Sequence, residues 1–202
     1  MADHVYTFAA GDAMGNAEMK NLLGGKGANL AEMSRIGIPV PPGFTITTEV
    51  CNHFLAHDGS YPEDLASQVD TALASMGGIM GSGFGDTENP LLVSVRSGAR
   101  QSMPGMMETV LNVGLTSATI PAMIAKTNNA RFVYDAYRRL ISMYADVVME
   151  KAAGIEPAEG QGIRVQLDEM LDEVKHTRGY ASDADIPAAE LETLCGDFRQ
   201  RV

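Results

Sequence analysis

Two groups of residues in this sequence combine types and spacings suited to holding phosphate. The first is Gly24-Gly25-Lys26-Gly27. Glycines allow positive φ and close approach of the backbone, so successive N–H groups can point at an anion. Lys26 adds a mobile positive charge, and a helix starting at Ala28 would turn its N-terminus toward a phosphate. The spacing is not that of a P-loop, because Ala28 stands where a hydroxyl would be needed. Taken alone, an ordinary turn with an exposed lysine explains the cluster as well. The second group begins at Arg96, directly after the apolar run Leu91-Leu92-Val93-Ser94-Val95. A guanidinium at the carboxyl end of a strand can grip phosphate oxygens in a bidentate pair. The segment that follows, with Gly98 and Gly105, could close over a ligand. Arg100 can equally pair with a surface carboxylate, and Met103, Met106 and Met107 are read as packing residues.

Other chemistry-bearing residues are dispersed. His53 and His57 share a helix face at metal-ligand spacing, but no Glu sits between them in the H-E-x-x-H manner and no third ligand is evident. A solvated helix face is the reading adopted, and no metal site is assigned. Asp168, Glu169, Asp172 and Glu173 are likewise read as a solvated acidic helix surface. Cys51 and Cys195 lie far apart without ligand spacing and are expected to be free thiols.

The elements that must position these residues follow from periodicity. Val5 to Phe8 alternates as a strand, and a small-residue loop is expected up to Gly27. From Ala28, the residues Leu30, Ala31, Met33 and Ile36 recur at helical spacing, with Gly37 as the stop. The Pro-rich connector Ile38–Gly43 cannot continue that helix. Phe44–Thr47 reads as a strand, and Thr48 as the cap of a helix through Leu55. A further helix is predicted over Pro62–Met76 with Leu65, Val69 and Leu73 on one face, followed by a glycine-rich loop, Gly77–Gly85. Leu91–Val95 is apolar enough to be a central strand. Helices dominate beyond Leu115. They are Arg131–Glu150, with Phe132, Ala136, Leu140, Met143 and Val147; Val165–Val174; and a stripe of Leu191, Leu194, Phe198 and Val202 from Ala188 onward. The expected fold class is α+β: a mixed lobe over residues 1–113 and a helical subdomain over 114–202. The last stripe has no stop signal after it, which leads us to expect a truncated subdomain.

Composition narrows the possibilities. The 202 residues are 45% hydrophobic, enough for a buried core, and carry a formal charge of −11 from 26 acidic and 15 basic residues. No basic stripe is available for a nucleic-acid backbone. A basic start, a signal-type apolar run and a membrane-length apolar run are all missing from the sequence, so a cytoplasmic location is expected.

Two motifs together resemble one known family. Asn21-Leu22-Leu23-Gly24-Gly25-Lys26-Gly27-Ala28-Asn29-Leu30-Ala31-Glu32-Met33, followed by Gly37-Ile38-Pro39-Val40-Pro41-Pro42-Gly43-Phe44, is similar to the opening of the pyruvate phosphate dikinase and phosphoenolpyruvate synthase superfamily. Leu91 through Arg100, and then Ser102-Met103-Pro104-Gly105-Met106-Met107-Glu108-Thr109, looks like its dikinase branch.

The resemblance implies an ATP-grasp nucleotide-binding lobe. It further implies a reaction in which ATP, phosphate and pyruvate become AMP, diphosphate and phosphoenolpyruvate through a phosphohistidine on another domain. By motif position, Lys26 and Arg96 match the family's phosphate-binding cations, which would offset charge on the transferred phosphoryl group. Gly24, Gly25, Ser97, Gly98, Gly105 and Thr109 fall in the segments lining the phosphate end. The family's Mg2+ ligands would lie outside this chain, and none of its four histidines matches the phosphohistidine motif. The expected partners are ATP and the remaining domains of a homo-oligomeric full-length enzyme. The alternative is a standalone, non-catalytic module that binds a nucleotide or a partner.

Overall fold

The computed structural model describes residues 2–98 and 109–202, which form a mixed α+β chain of two compact units. The first unit is built from residues 2–84 and is joined by Ser97 and Gly98. The second comprises Gly85–Arg96 and the chain from residue 109 onward.

In the first unit, β1 (Val5–Ala9) is the middle strand of an antiparallel sheet, with β2 (Asp12–Ala13) on one side and β3 (Gly43–Ile46) on the other. Three helices pack with it: α1 (Lys20–Arg35), α2 (Thr48–Ala56) and α3 (Leu65–Met80). The core gathers Val5, Val50, Leu65 and Ala72, with Phe44 and Val69 against them.

Three expectations change here. The small-residue loop up to Gly27 is helical from Lys20, interrupted only at Gly24. The buried face of α1 is Leu23, Gly24, Gly27, Ala28, Ala31 and Ser34, whereas Met33 and Ile36 are exposed. Small residues win that face because the helix lies close to the sheet. A Cβ on Gly27 would come within 2.7 Å of the Thr45 side chain in β3. Finally, the glycine-rich stretch after Met76 continues α3 by a further turn. Gly77 remains helical where a Cβ would meet the Ser82 carbonyl at 2.7 Å, and Gly81 ends the helix in the left-handed region at φ 64°.

The second unit opens with an antiparallel ribbon of β4 (Val93–Arg96) and β5 (Thr109–Val113). Among the described residues β4 pairs with β5 alone and is not a central strand. Its apolar residues Leu91 and Leu92 precede it and turn into the core, while Ser94 and Val95 are exposed. A bulge between the Val93↔Val113 and Val95↔Val110 pairs goes with Asn112 at φ 60°, a left-handed value that Asn tolerates. The ribbon, which a lobe ending at residue 113 would include, packs with the helices that follow it.

Those helices are α4 (Ile120–Thr127), α5 (Ala130–Tyr144), α6 (Ile163–Arg178) and α7 (Ala188–Arg201), with a π-helical continuation of α5 over Ala145–Lys151. Val110, Leu115, Ile120, Val133 and Leu140 form one core beneath the ribbon. Ala145, Leu167, Leu171, Ile186, Leu191, Leu194 and Phe198 form a second. Most of the stripe read from Ala188 onward is therefore buried, although Val202 is exposed. Phe132 departs from its predicted face: it is exposed, and Val133 takes the inward position.

Arg138 is buried inside this unit. Its guanidinium donates to Asp135 at 2.7 Å and to Asp183 at 3.3 Å, so the charge is paired as burial demands. No helix of the described residues is long and apolar enough to cross a membrane.

Candidate phosphate-binding elements

The Gly24 backbone is the local feature that shapes the first cluster. Its φ of 68° and ψ of 169° lie in a region open essentially to glycine alone, and this break divides α1. Helical geometry resumes immediately, so Gly25, Lys26 and Gly27 occupy the first turn of a new helical run. A first turn lacks intrahelical partners for its N–H groups and carries the positive end of the helix dipole. The sequence expectation of a glycine loop feeding a helix start is thereby realised one turn earlier than Ala28.

Neighbours hold this turn in place. The Thr48 hydroxyl donates to the Asn21 carbonyl at 2.7 Å, tying the start of α2 to the residues before the break. Thr48 therefore does not cap α2; Thr47 occupies the cap position and makes no side-chain cap bond. Behind the turn, Thr45 receives Gly27 at a distance no larger residue would allow. Thr45 was not legible as a site-supporting residue, because an alternating strand residue gives no sequence signal of what packs on it.

Lys26 is half-buried, and its Nζ donates to the Ser97 carbonyl at 3.4 Å. The contact brings two predicted site residues together from distant parts of the sequence. Gly98 follows Ser97, is exposed, and has open space where a Cβ would be. Its glycine identity is therefore not required by packing among the described residues.

Arg96 ends β4, is exposed, and its Nε donates to Ser94 Oγ at 3.4 Å. Thr109, the first residue of β5, is its direct cross-strand partner. The approach to β4 is ordered by Asp86, whose carboxylate accepts the N–H groups of Glu88 at 2.7 Å and Asn89 at 3.2 Å. Those two hydrogen bonds hold the Asp86 carboxyl below its usual range. Lys126 on α4 then reaches Asn89 Oδ1 at 3.0 Å. Gly105 and Arg100 lie outside the described residues, as do Met103, Met106 and Met107.

The predicted residues thus fall into two local sets. Gly24, Gly25 and Lys26 form the turn that reaches Ser97, while Arg96 and Thr109 face each other on the ribbon. Each set offers cations, hydroxyls and backbone donors, which is a donor-rich chemistry suited to anionic oxygens. Neither set contains a carboxylate, so these residues do not fit Mg2+, which takes carboxylate and other oxygen ligands. Among the described residues, no group of three or more His, Cys, Asp or Glu is placed to hold a metal ion.

Comparison with known proteins decides the relationship. Residues 20–77 match the family model described as "Pyruvate phosphate dikinase, AMP/ATP-binding domain". The whole chain is 46% identical over 202 residues to the pyruvate, phosphate dikinase of Rhizobium meliloti (strain 1021). Over its full length, this chain is similar to the N-terminal region of the pyruvate, phosphate dikinases. It is 44% identical over 199 residues, 98% of its length, to the Clostridium symbiosum enzyme. With chloroplastic pyruvate, phosphate dikinase 1 of Zea mays the figure is 41% over 196 residues, 97% of the chain. The chain spans only about one fifth of each relative: 21% of the two bacterial proteins and 19% of the maize one. Gly24, Gly25 and Lys26 lie inside the stretch matched by the dikinase family model, whereas Arg96, Ser97, Gly98 and Thr109 lie beyond it.

Proposed function

We propose that this chain is the nucleotide-binding opening of a pyruvate, phosphate dikinase and contributes the cations that hold ATP's phosphates. The observation that supports this reading best is the glycine-only break at Gly24, which starts a fresh helical turn at Gly25-Lys26-Gly27 inside the AMP/ATP-binding match. A helix start with a lysine in its first turn favours an anion, which supports this reading. In this proposal Lys26 and Arg96 bind phosphoryl oxygens and offset the charge that develops as the group is transferred. Gly24 and Gly25 let the backbone approach the ligand, and Ser97, Gly98, Gly105 and Thr109 line the phosphate end.

The whole enzyme would convert ATP, phosphate and pyruvate to AMP, diphosphate and phosphoenolpyruvate. Its ATP-grasp lobe would be completed by residues outside this chain, which would also supply the ligands for Mg2+. It would act as a cytoplasmic homo-oligomer.

Calorimetric titration with ATP and with AMP tests the site assignment on wild type, Lys26→Ala and Arg96→Ala. Each substitution is expected to weaken ATP binding while leaving the thermal midpoint in place. Equal affinity in all three proteins would sink the assignment.

A non-catalytic binding module is the second reading. Dikinase activity of the natural protein containing this segment separates the two.

A further inference from the structure

The histidine pair on α2 lies away from both phosphate-binding sets in sequence and has no part in the proposed nucleotide chemistry. His53 sits in the last turn of α2 and His57 occupies its C-cap. Their rings stack with centroids 3.9 Å apart and planes inclined by only 13°, which keeps both imidazoles together, and holding one ion between them requires the rings to turn until their nitrogens converge. His57 Nδ1 lies 2.8 Å from the His53 carbonyl oxygen. A carbonyl can only accept, so Nδ1 carries the proton and, in the neutral ring, Nε2 keeps its lone pair. This is the arrangement that orients metal-binding histidines, in which the second ring nitrogen donates to a backbone carbonyl. The pair also stands at the C-terminal end of a helix, where unpaired carbonyls favour a cation.

We propose that His53 and His57 form a two-histidine chelate for a divalent transition metal of the Ni2+, Cu2+ and Zn2+ group. Imidazole nitrogens select these ions, and affinity should follow their usual order with Cu2+ strongest. Hard, oxygen-seeking Mg2+ is not a competitor. No third side chain joins the pair among the described residues, so water fills the remaining positions. His57 is exposed and His53 half-buried, so the ion can reach the rings from solvent.

The test is titration of the 202-residue chain with Ni2+, Cu2+ and Zn2+, each in the presence of excess Mg2+. The variants are His53→Ala, His57→Ala and Cys51→Ser, the last because Cys51 is an exposed thiol on the same helix. One ion per chain should bind. Since loss of an outer-shell partner alone costs about 10–100-fold in metal affinity, removing either ligand should cost at least roughly tenfold. Cys51→Ser should bind like wild type. Circular dichroism of each variant establishes that α2 has kept its fold. Unchanged affinity in both histidine variants would reduce the pair to a helix cap and overturn the proposal, as would loss of binding in Cys51→Ser alone.

Discussion

Arg96 and Thr109 stand directly opposite each other across the β4–β5 ribbon, one closing the first strand and the other opening the second. Directly opposed residues share a face, with Cβ atoms about 4.5–5.5 Å apart. The guanidinium and the hydroxyl are therefore presented together at one end of the ribbon. Arg96 is exposed, and its hydrogen bond to Ser94 is a long one at 3.4 Å. Arg96→Ala should change stability by no more than about 0.5 kcal/mol, as is usual for surface substitutions. On the proposed reading of Arg96 as a phosphate-binding cation, its loss should lower the phosphoryl-transfer rate of a whole dikinase by about 10²-fold or more. Arg96→Lys should recover little of this, because a point charge does not reproduce the bidentate fork. Thermal unfolding alongside steady-state kinetics checks both halves, and a large stability loss would recast Arg96 as a structural residue.

Gly24 gives a prediction of the opposite kind. Its φ of 68° and ψ of 169° penalise any side chain by about 1–3 kcal/mol. Gly24→Ala should therefore lower the urea midpoint without altering the slope, and it should weaken nucleotide binding because the new helical turn is displaced. A substitution that left the midpoint unchanged would show that the break is not conformationally demanding.

Much of this arrangement was legible in the sequence, and the misses have physical causes. Lys26, Arg96 and the glycines around them stand out because glycine and cation clusters leave marks in composition. The loop before Gly27 was misread because Gly24 and Gly25 weaken a helix signal, yet a single glycine torsion restores the helix beyond it. The apolar stripe of α1 pointed to Met33 and Ile36, but close packing against β3 favoured Gly27, Ala28 and Ala31 over larger side chains. Strand β5 gave no strong signal because it is half exposed and carries a bulge at Asn112. The contact of Lys26 with Ser97 lies between residues far apart in sequence, beyond the reach of local periodicity.

The two thiols should behave differently. Cys195 is buried, and burial is the main cause pushing its thiol up to about 12; its Sγ also donates to the Tyr134 carbonyl at 3.4 Å. Cys51 is exposed. Because the thiolate is the reacting form, a chromogenic disulfide reagent at pH 8 should titrate Cys51 quickly and Cys195 only after denaturation. Rapid reaction of both in the folded protein would mean that the helices around Cys195 open readily.

Two phenylalanines on predicted helical stripes make a matched pair. Phe198 is 1% exposed, whereas Phe132 is 54% exposed. Phe198→Ala should cost about 3–5 kcal/mol through lost burial and the cavity left behind. Phe132→Ala should stay within about 0.5 kcal/mol, as a surface change does. Urea unfolding of both variants decides this, and comparable losses would show that Phe132 packs against something in solution.

The link between α5, α6 and the segment near residue 183 should give the protein an acid-sensitive step. Burial tends to raise the Asp183 carboxyl. The Lys175 hydrogen bond, with the charges of Arg138, Lys175 and Arg139, outweighs burial and holds it below the usual carboxylate range. Lys175 reaches Asp183 Oδ1 at 3.0 Å, and Arg138 reaches Oδ2 at 3.3 Å. A carboxyl depressed on folding stabilises the native state above its unfolded value, near 3.9. That contribution is lost as pH falls through the lower folded value. Lys175 works in the other direction: its hydrogen bond to Asp172 first, and then that to Asp183, raises its amine. Its contribution is complete below the unfolded lysine value, near 10.4, and fades as pH rises past the folded one. Asp183→Asn should therefore be less stable at neutral pH and should lose less stability than wild type between about pH 4 and pH 2. Thermal midpoints across that range test the linkage, and parallel curves for the two proteins would show that another carboxylate governs the acid limb.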